Sequence, residues 1–179
     1  MYYIVIFVLQ YNMRAVMDSD ALIKITKSSV KETVLSNIST DIPKKVEQET
    51  VDDGKKSGHP DAVVIERNIQ AGKIKVSETR SSDVSERIIA SLNISGGESD
   101  SLRLFSNNRS NYDCIITDDQ KFIDLIDGLE IPFLTPSALL VYLVNQKRVS
   151  PDQALQYLDK MKPMISKEEY ILTKEELSK

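Results

Sequence analysis

Acidic side chains carry most of the chemistry open to this sequence. Asp18 closes the short apolar stretch Ala15 to Met17 in VMDSDALIK, and the pair Asp118 and Asp119 closes the apolar stretch of YDCIITDD. Glu49 lies in the helix-like run KKVEQETV, and Glu98 directly follows Gly96 and Gly97. An acid at the carboxyl end of a strand stands where open α/β sheets place their ligands. Parallel strands would bring Asp18 and the Asp118/Asp119 pair to one edge. Carboxylates gathered there repel one another, and they protonate or spread apart unless a cation holds them. The fitting ions are Mg2+ and Mn2+, which take oxygen ligands, because the chain offers no thiolate or imidazole cage. Such an ion makes hydroxide from water and steadies a phosphate oxygen, the chemistry of phosphodiester hydrolysis.

Each acid also has a plain structural use. Asp18 or Ser19 can cap the first helix and Asp118 the helix after its strand, worth about 1 kcal/mol each. Glu98 and Asp100 in a first helical turn favour the helix dipole. Glu49 can pair with Lys45 one turn back. Only their joint placement points to a cation site.

The remaining composition narrows the chemistry. The single histidine, His59, sits in the loop-like KKSGHPD, which removes His-based metal sites and Ser-His or Cys-His catalysis. The single cysteine, Cys114, lies in an apolar run as a small buried hydrophobe and fits a reducing cytoplasm. A net charge of −4 excludes binding nucleic acid through the overall field, so a nucleic-acid substrate needs a local basic groove or a bridging metal. Lys24, Lys27, Lys44, Lys45 and Lys121 are the cations available for such a track.

The elements that must position these acids alternate between strand and helix. At 179 residues and 41% hydrophobic content the chain suits one domain with a proper core. The pattern predicts strands over Ala15–Met17, Lys73–Val76, Tyr112–Thr117 and Ile131–Leu134. It predicts helices over Ser19–Lys27, about Ser28–Asn37, Pro43–Asp52, Asp61–Gln70, Asp83–Leu92, the GESDSLRLFSNN segment, Asp118–Ile126 and Pro136–Lys147. Thr40 to Pro43 reads as an extended link and Gly54 to Pro60 as a break. In the tail, Ser150-Pro151 and the Ser166 to Glu169 spacing of a capping box start two more helices. Strands threaded between helices mean an α/β fold, a mostly parallel central sheet with helices on both faces. The division expected is an apolar arm over 1–12, the α/β domain over 13–148 and packed C-terminal helices over 149–179. The arm, MYYIVIFVLQYN, meets Gln10 and Asn12 too early to span a membrane, which takes about 20 apolar residues. It lacks the marks of a secretory signal, and is expected as an extra strand or as an extension ahead of a natural start at Met13.

Four segments, MDSDALIK, IPKKVEQETV, GGESDSL and IITDDQKF, resemble in order the acidic motifs of PIN domains, in their archaeal and toxin-like branch. The resemblance runs from about Arg14 to Val144. It implies a PIN-like three-layer fold with extra C-terminal helices, and an Mg2+- or Mn2+-dependent ribonuclease acting on RNA. It also implies a homodimer, and a place for the chain as the toxin half of a toxin and antitoxin pair. Carried onto this sequence, it makes Asp18, Glu49, Glu98 and Asp119 the metal-site acids, with Asp118, Asp20 or Asp100 as auxiliaries. Asp20 stands where the family more often has a neutral Ser or Asn, and the doubled acids at 118 and 119 offer two candidates for the fourth ligand.

Two other classes remain open. Asp18-Ser19-Asp20 after a strand, with a later strand ending in Asp118-Asp119, also looks like haloacid-dehalogenase-type phosphatases. In those, Asp18 would attack a phosphate and Asp20 would act as acid and base, leaving Glu49 and Glu98 idle. The third class is a non-catalytic PIN-like protein-binding module that uses the apolar arm or the C-terminal helices as its contact surface.

Overall fold

A computed structural model describes residues 13–81, 83–92 and 94–179; the apolar arm expected over residues 1–12 lies outside them. Strands β1 (Met13–Met17), β2 (Ile38–Pro43), β3 (Ile74–Ser77), β4 (Cys114–Ile116) and β5 (Phe133–Leu134) form one sheet in the order β3-β2-β1-β4-β5. Every pairing is parallel, with Val16 opposite both Asp41 of β2 and Ile115 of β4.

Parallel sheets have both faces covered, and their strands are correspondingly apolar. Successive side chains point to opposite faces, and the two cores divide accordingly. Ala15 and Met17 of β1 pack with Cys114 and Ile116 of β4 in one core, while Val16 and Ile115 pack in the other. The first core is closed by α1 (Ser19–Lys27), α2 (Lys31–Asn37), α5 (Pro60–Gln70), α9 (Pro136–Asn145) and α10 (Pro151–Met161), through residues such as Leu22, Val34, Ile65, Leu140 and Leu158. The second is closed by α6 (Asp83–Leu92), α7 (Gly96–Asn107) and α8 (Gln120–Gly128), with Phe105 and Phe122 at its centre. The result is the three-layer α/β arrangement. Two short helices, α3 (Lys44–Glu47) and α4 (Gly54–Lys56), and a last one, α11 (Lys167–Leu177), complete the chain.

Three local expectations change. The segment expected as a link, Thr40 to Pro43, belongs to β2, a central strand. Its sequence hides this because Asp41 is a poor strand former. The Asp41 carboxylate is buried, and the fold supplies Arg14 at 2.8 Å and the Tyr112 hydroxyl at 2.9 Å to satisfy it. The expected break at Gly54 is helical instead, since a π-helical stretch, Gln48–Asp53, joins α3 to α4. Ser166 caps α11, but the second half of the expected capping box is diverted: Glu169 accepts a bond from Ser137 of α9 at 2.6 Å. That contact ties the tail to the sheet domain, and Leu177 and Met161 join the first core. No helix among the described residues is long and apolar enough to cross a membrane.

Candidate active site

The strand order reverses between β1 and β4, because the chain winds from β1 toward β2 and later from β4 toward β5. At such a point the two following loops part and leave a crevice at the carboxyl edge. The Asp18 amide donates to the Ile116 carbonyl at 3.1 Å, carrying the β1–β4 ladder one residue past the strands and setting Asp18 at that crevice. Beyond β4 the Thr117 hydroxyl accepts from the Asp119 amide at 3.3 Å and hydrogen-bonds the Asp18 carboxylate. One buried hydroxyl therefore holds both strand ends in register.

A cleft of about 340 Å³ opens here, lined by Asp18, Ser19, Asp20, Glu49, Gly97, Glu98 and Asp119 among others. The four acids Asp18, Glu49, Glu98 and Asp119, widely separated in sequence, thus face one space. Asp18 and Asp119 are also N-caps, their Oδ1 atoms accepting from the Ala21 amide at 2.8 Å and the Phe122 amide at 2.9 Å. The capping use and the cleft position coexist, because capping occupies one carboxylate oxygen and leaves the other. Glu49 lies in the π-helical stretch, a form that recurs at functional sites. Its Oε2 accepts from the Ser19 hydroxyl at 2.6 Å and its Oε1 from the Gly97 amide at 3.1 Å. Lys45 approaches it at 3.8 Å.

The glycines are there to admit Glu49. A Cβ on Gly97 would lie 2.7 Å from Glu49 Oε2, and Gly96 has a φ of +63°, which side chains rarely adopt. The sequence marks these residues only as punctuation; it offers Ser19 only as a helix cap and Thr117 only as the end of a strand, the one signal of their part here being a small hydroxyl beside each strand-end acid.

The electrostatics match a crowded acidic site. Asp18 is 4% exposed, and burial, with Asp118 and Asp20 adding, pushes its pKa up to about 7 against a Thr117 and Ala21 pull downward. Burial also raises Glu98, followed by the charges of Asp119, Asp20 and Glu49. Among the described residues no three His, Cys, Asp or Glu side chains close into a metal cage. The acids face an open cleft. The donor set is all carboxylate, which suits a hard divalent ion that keeps part of its own water.

Asp20, expected as an auxiliary, lines the cleft beside Asp18, whereas Asp118 and Asp100 point elsewhere. Asp118 turns away from the cleft and pairs with Lys24 of α1. Asp100 pairs with Arg103, which also grips Glu86. Of the lysines expected to track phosphate, Lys24 is spent on Asp118 and Lys44 on Glu47. Lys27 stands 3.8 Å from Asp61. Lys45 borders the cleft acids, and the charge of Lys121 opposes the rise of Glu98.

A family model described as a PIN domain matches residues 14–173. The crystal structure of PAE2754 from Pyrobaculum aerophilum aligns with a TM-score of 0.53 at 14% identity, over 75% of this chain and 98% of that one, a likeness of fold. No curated protein matches this sequence.

Proposed function

The chain belongs to the PIN-domain family, whose members are in general nucleases, and we propose that it is an endoribonuclease that uses Mg2+ or Mn2+ to hydrolyse RNA phosphodiester bonds. The observation that carries this reading is the meeting of Asp18, Glu49, Glu98 and Asp119 in one cleft at the sheet's switch point. Asp18 and Asp119 would hold the ion, since both line the cleft and the helix cap engages only Oδ1 of each carboxylate. When bound, the ion would make a coordinated water more acidic and would supply positive charge for the phosphate oxygens.

The chain's own groups prepare for that. Thr117 and the Ala21 amide stop Asp18 from rotating away. Glu49 is held at both oxygens by Ser19 and Gly97, so it contributes fixed negative charge with little freedom to move. Glu98 has no hydrogen-bond partner among the described residues, and burial and neighbouring acids raise its proton affinity. It is therefore the group to orient the attacking water and accept its proton. Lys45 and Lys121 at the rim would offset repulsion between the acids and the RNA backbone. The phosphatase alternative gains nothing here, because Glu49 and Glu98, idle in it, both line the cleft.

The test is cleavage of end-labelled single-stranded RNA with Mn2+, comparing the protein with Asp18→Asn and with chelator. Cleavage abolished in both controls supports the reading. Cleavage that survives Asp18→Asn, or no cleavage and no Asp18-dependent Mn2+ stabilisation, defeats it.

A further inference from the structure

The larger cavity of the carboxyl edge is separate from the acidic cleft and has no part in the chemistry above. It measures about 450 Å³ and lies between β5, α9 and α11, with Lys24, Asp118, Phe133, Thr135, Ala138 and Leu172 in its wall. Asp118 carries the signal of a missing ligand. Its side chain is 5% exposed; Oδ2 is taken by Lys24, yet Oδ1 is buried without a hydrogen-bond partner among the described residues. A buried carboxylate oxygen left unpaired is expensive, because the water it gave up is replaced by nothing. The arrangement is relieved by a ligand that brings N–H donors.

The neighbours say what kind of ligand. Asp118 is the residue before Asp119 of the cleft, and Lys24 follows Asp20 of the cleft by one helical turn, ~5.4 Å along α1. A group entering the cavity is therefore within a nucleotide's reach of a phosphate in the cleft. Phe133 is half-buried in the wall and Leu172 is exposed beside it, which provides apolar contact for a flat ring. Bases of single-stranded RNA are read in this way, splayed out, packed on apolar and aromatic side chains and hydrogen-bonded along their edges. A carboxylate selects among bases by the donors they present. Guanine offers adjacent N1–H and N2–H donors that converge on Oδ1, the oxygen Lys24 leaves unpaired; uracil flanks its one N–H with two carbonyls, which a carboxylate repels.

We propose that this cavity is a nucleobase subsite that takes an amino-bearing base, guanine foremost, from the nucleotide flanking the scissile phosphate, with Asp118 as the reading group. The inference rests on the ribonuclease reading for its substrate, but base binding requires neither metal nor cleavage and can be measured alone. Guanosine and uridine are titrated into the metal-free full chain by calorimetry. The expected result is guanosine binding at least ten-fold tighter than uridine. It should weaken ten-fold or more both in Ala138→Phe, which fills the cavity, and in Asp118→Asn, which turns an acceptor into a donor. RNA of mixed sequence should then be cut with a bias beside guanosine that Ala138→Phe removes while uridine-only RNA is cut as before. Guanosine binding without any RNA cleavage overturns the ribonuclease reading and keeps the subsite. Cleavage without base bias, together with no guanosine binding or binding indifferent to both substitutions, overturns the subsite and keeps the ribonuclease.

Discussion

Asp18→Asn should make the metal-free protein more stable while destroying its response to metal. The Asp18 carboxyl titrates near 3.8 when unfolded and near 7 when folded, chiefly because burial disfavours its charge. The stability it lends is fully present below pH 3.8 and is lost as pH rises through 7. At pH 8 the folded protein holds a buried carboxylate at a free-energy cost of about 4 kcal/mol, from roughly three pH units at ~1.4 kcal/mol each. Asparagine is neutral, nearly the same shape, and an equally good N-cap for the Ala21 amide. The substitution should therefore recover about 2–4 kcal/mol at pH 8, since the amide still has to be buried. For a chain of this size that raises Tm by roughly 5–15 °C. Differential scanning calorimetry with chelator at pH 8 and pH 4.5 makes the measurement. The gain should shrink toward zero at pH 4.5, where the native carboxyl is already protonated. Mn2+ should raise Tm of the native protein and leave the variant unmoved. A variant no more stable at pH 8, or one whose gain is the same at both pH values, would refute the claim that desolvation sets the state of this acid.

Three further outcomes follow from the same geometry. Metal-free protein should lose stability continuously between about pH 4 and 8, because Asp18, Glu98 and Asp118 are all raised by burial and all bind protons more tightly when folded; urea titrations across that range check it, and stability rising with pH would contradict it. Gly97→Ala puts a methyl 2.7 Å from Glu49 Oε2 and should lower RNA cleavage about a hundred-fold, the scale of an ångström's misplacement, with far-UV circular dichroism unchanged; full activity would show that Glu49 can move without consequence. Thr117→Val keeps the shape but deletes the hydroxyl shared by Asp18 and the Asp119 amide, so it should cost roughly 1–3 kcal/mol and move the pH midpoint of Mn2+ binding upward, an unchanged midpoint counting against the link.

Local chemistry was legible where it follows from period and punctuation. The apolar strands at Ala15 to Met17 and Cys114 to Ile116, the helices between them, and the Ser150-Pro151 start of α10 all form from nearby residues, and the structure has them within a residue or two. The strand-end position of Asp18 and of Asp119 could be anticipated for the same reason. β2 could not, because Asp41 and Pro43 are residues that strands disfavour; what lets the segment be a strand is Arg14 and Tyr112, brought from distant segments to neutralise Asp41.

The class of fold, the kinds of donor atoms available and the order in which the acids occur follow from composition and local spacing alone. Which acids share a space is a matter of how the chain packs. Asp118 and Asp119 are adjacent and chemically identical, yet β4 and the turn into α8 send Asp119 to the cleft and Asp118 to Lys24. Glu49 reaches the cleft because a π-helical stretch carries it there and two glycines leave room for its carboxylate. Asp100, two residues past Glu98, is drawn off by Arg103. Direction, partnership and the withdrawal of water are properties of the packed chain, and they separate an acid that can serve a site from one that holds a helix in place.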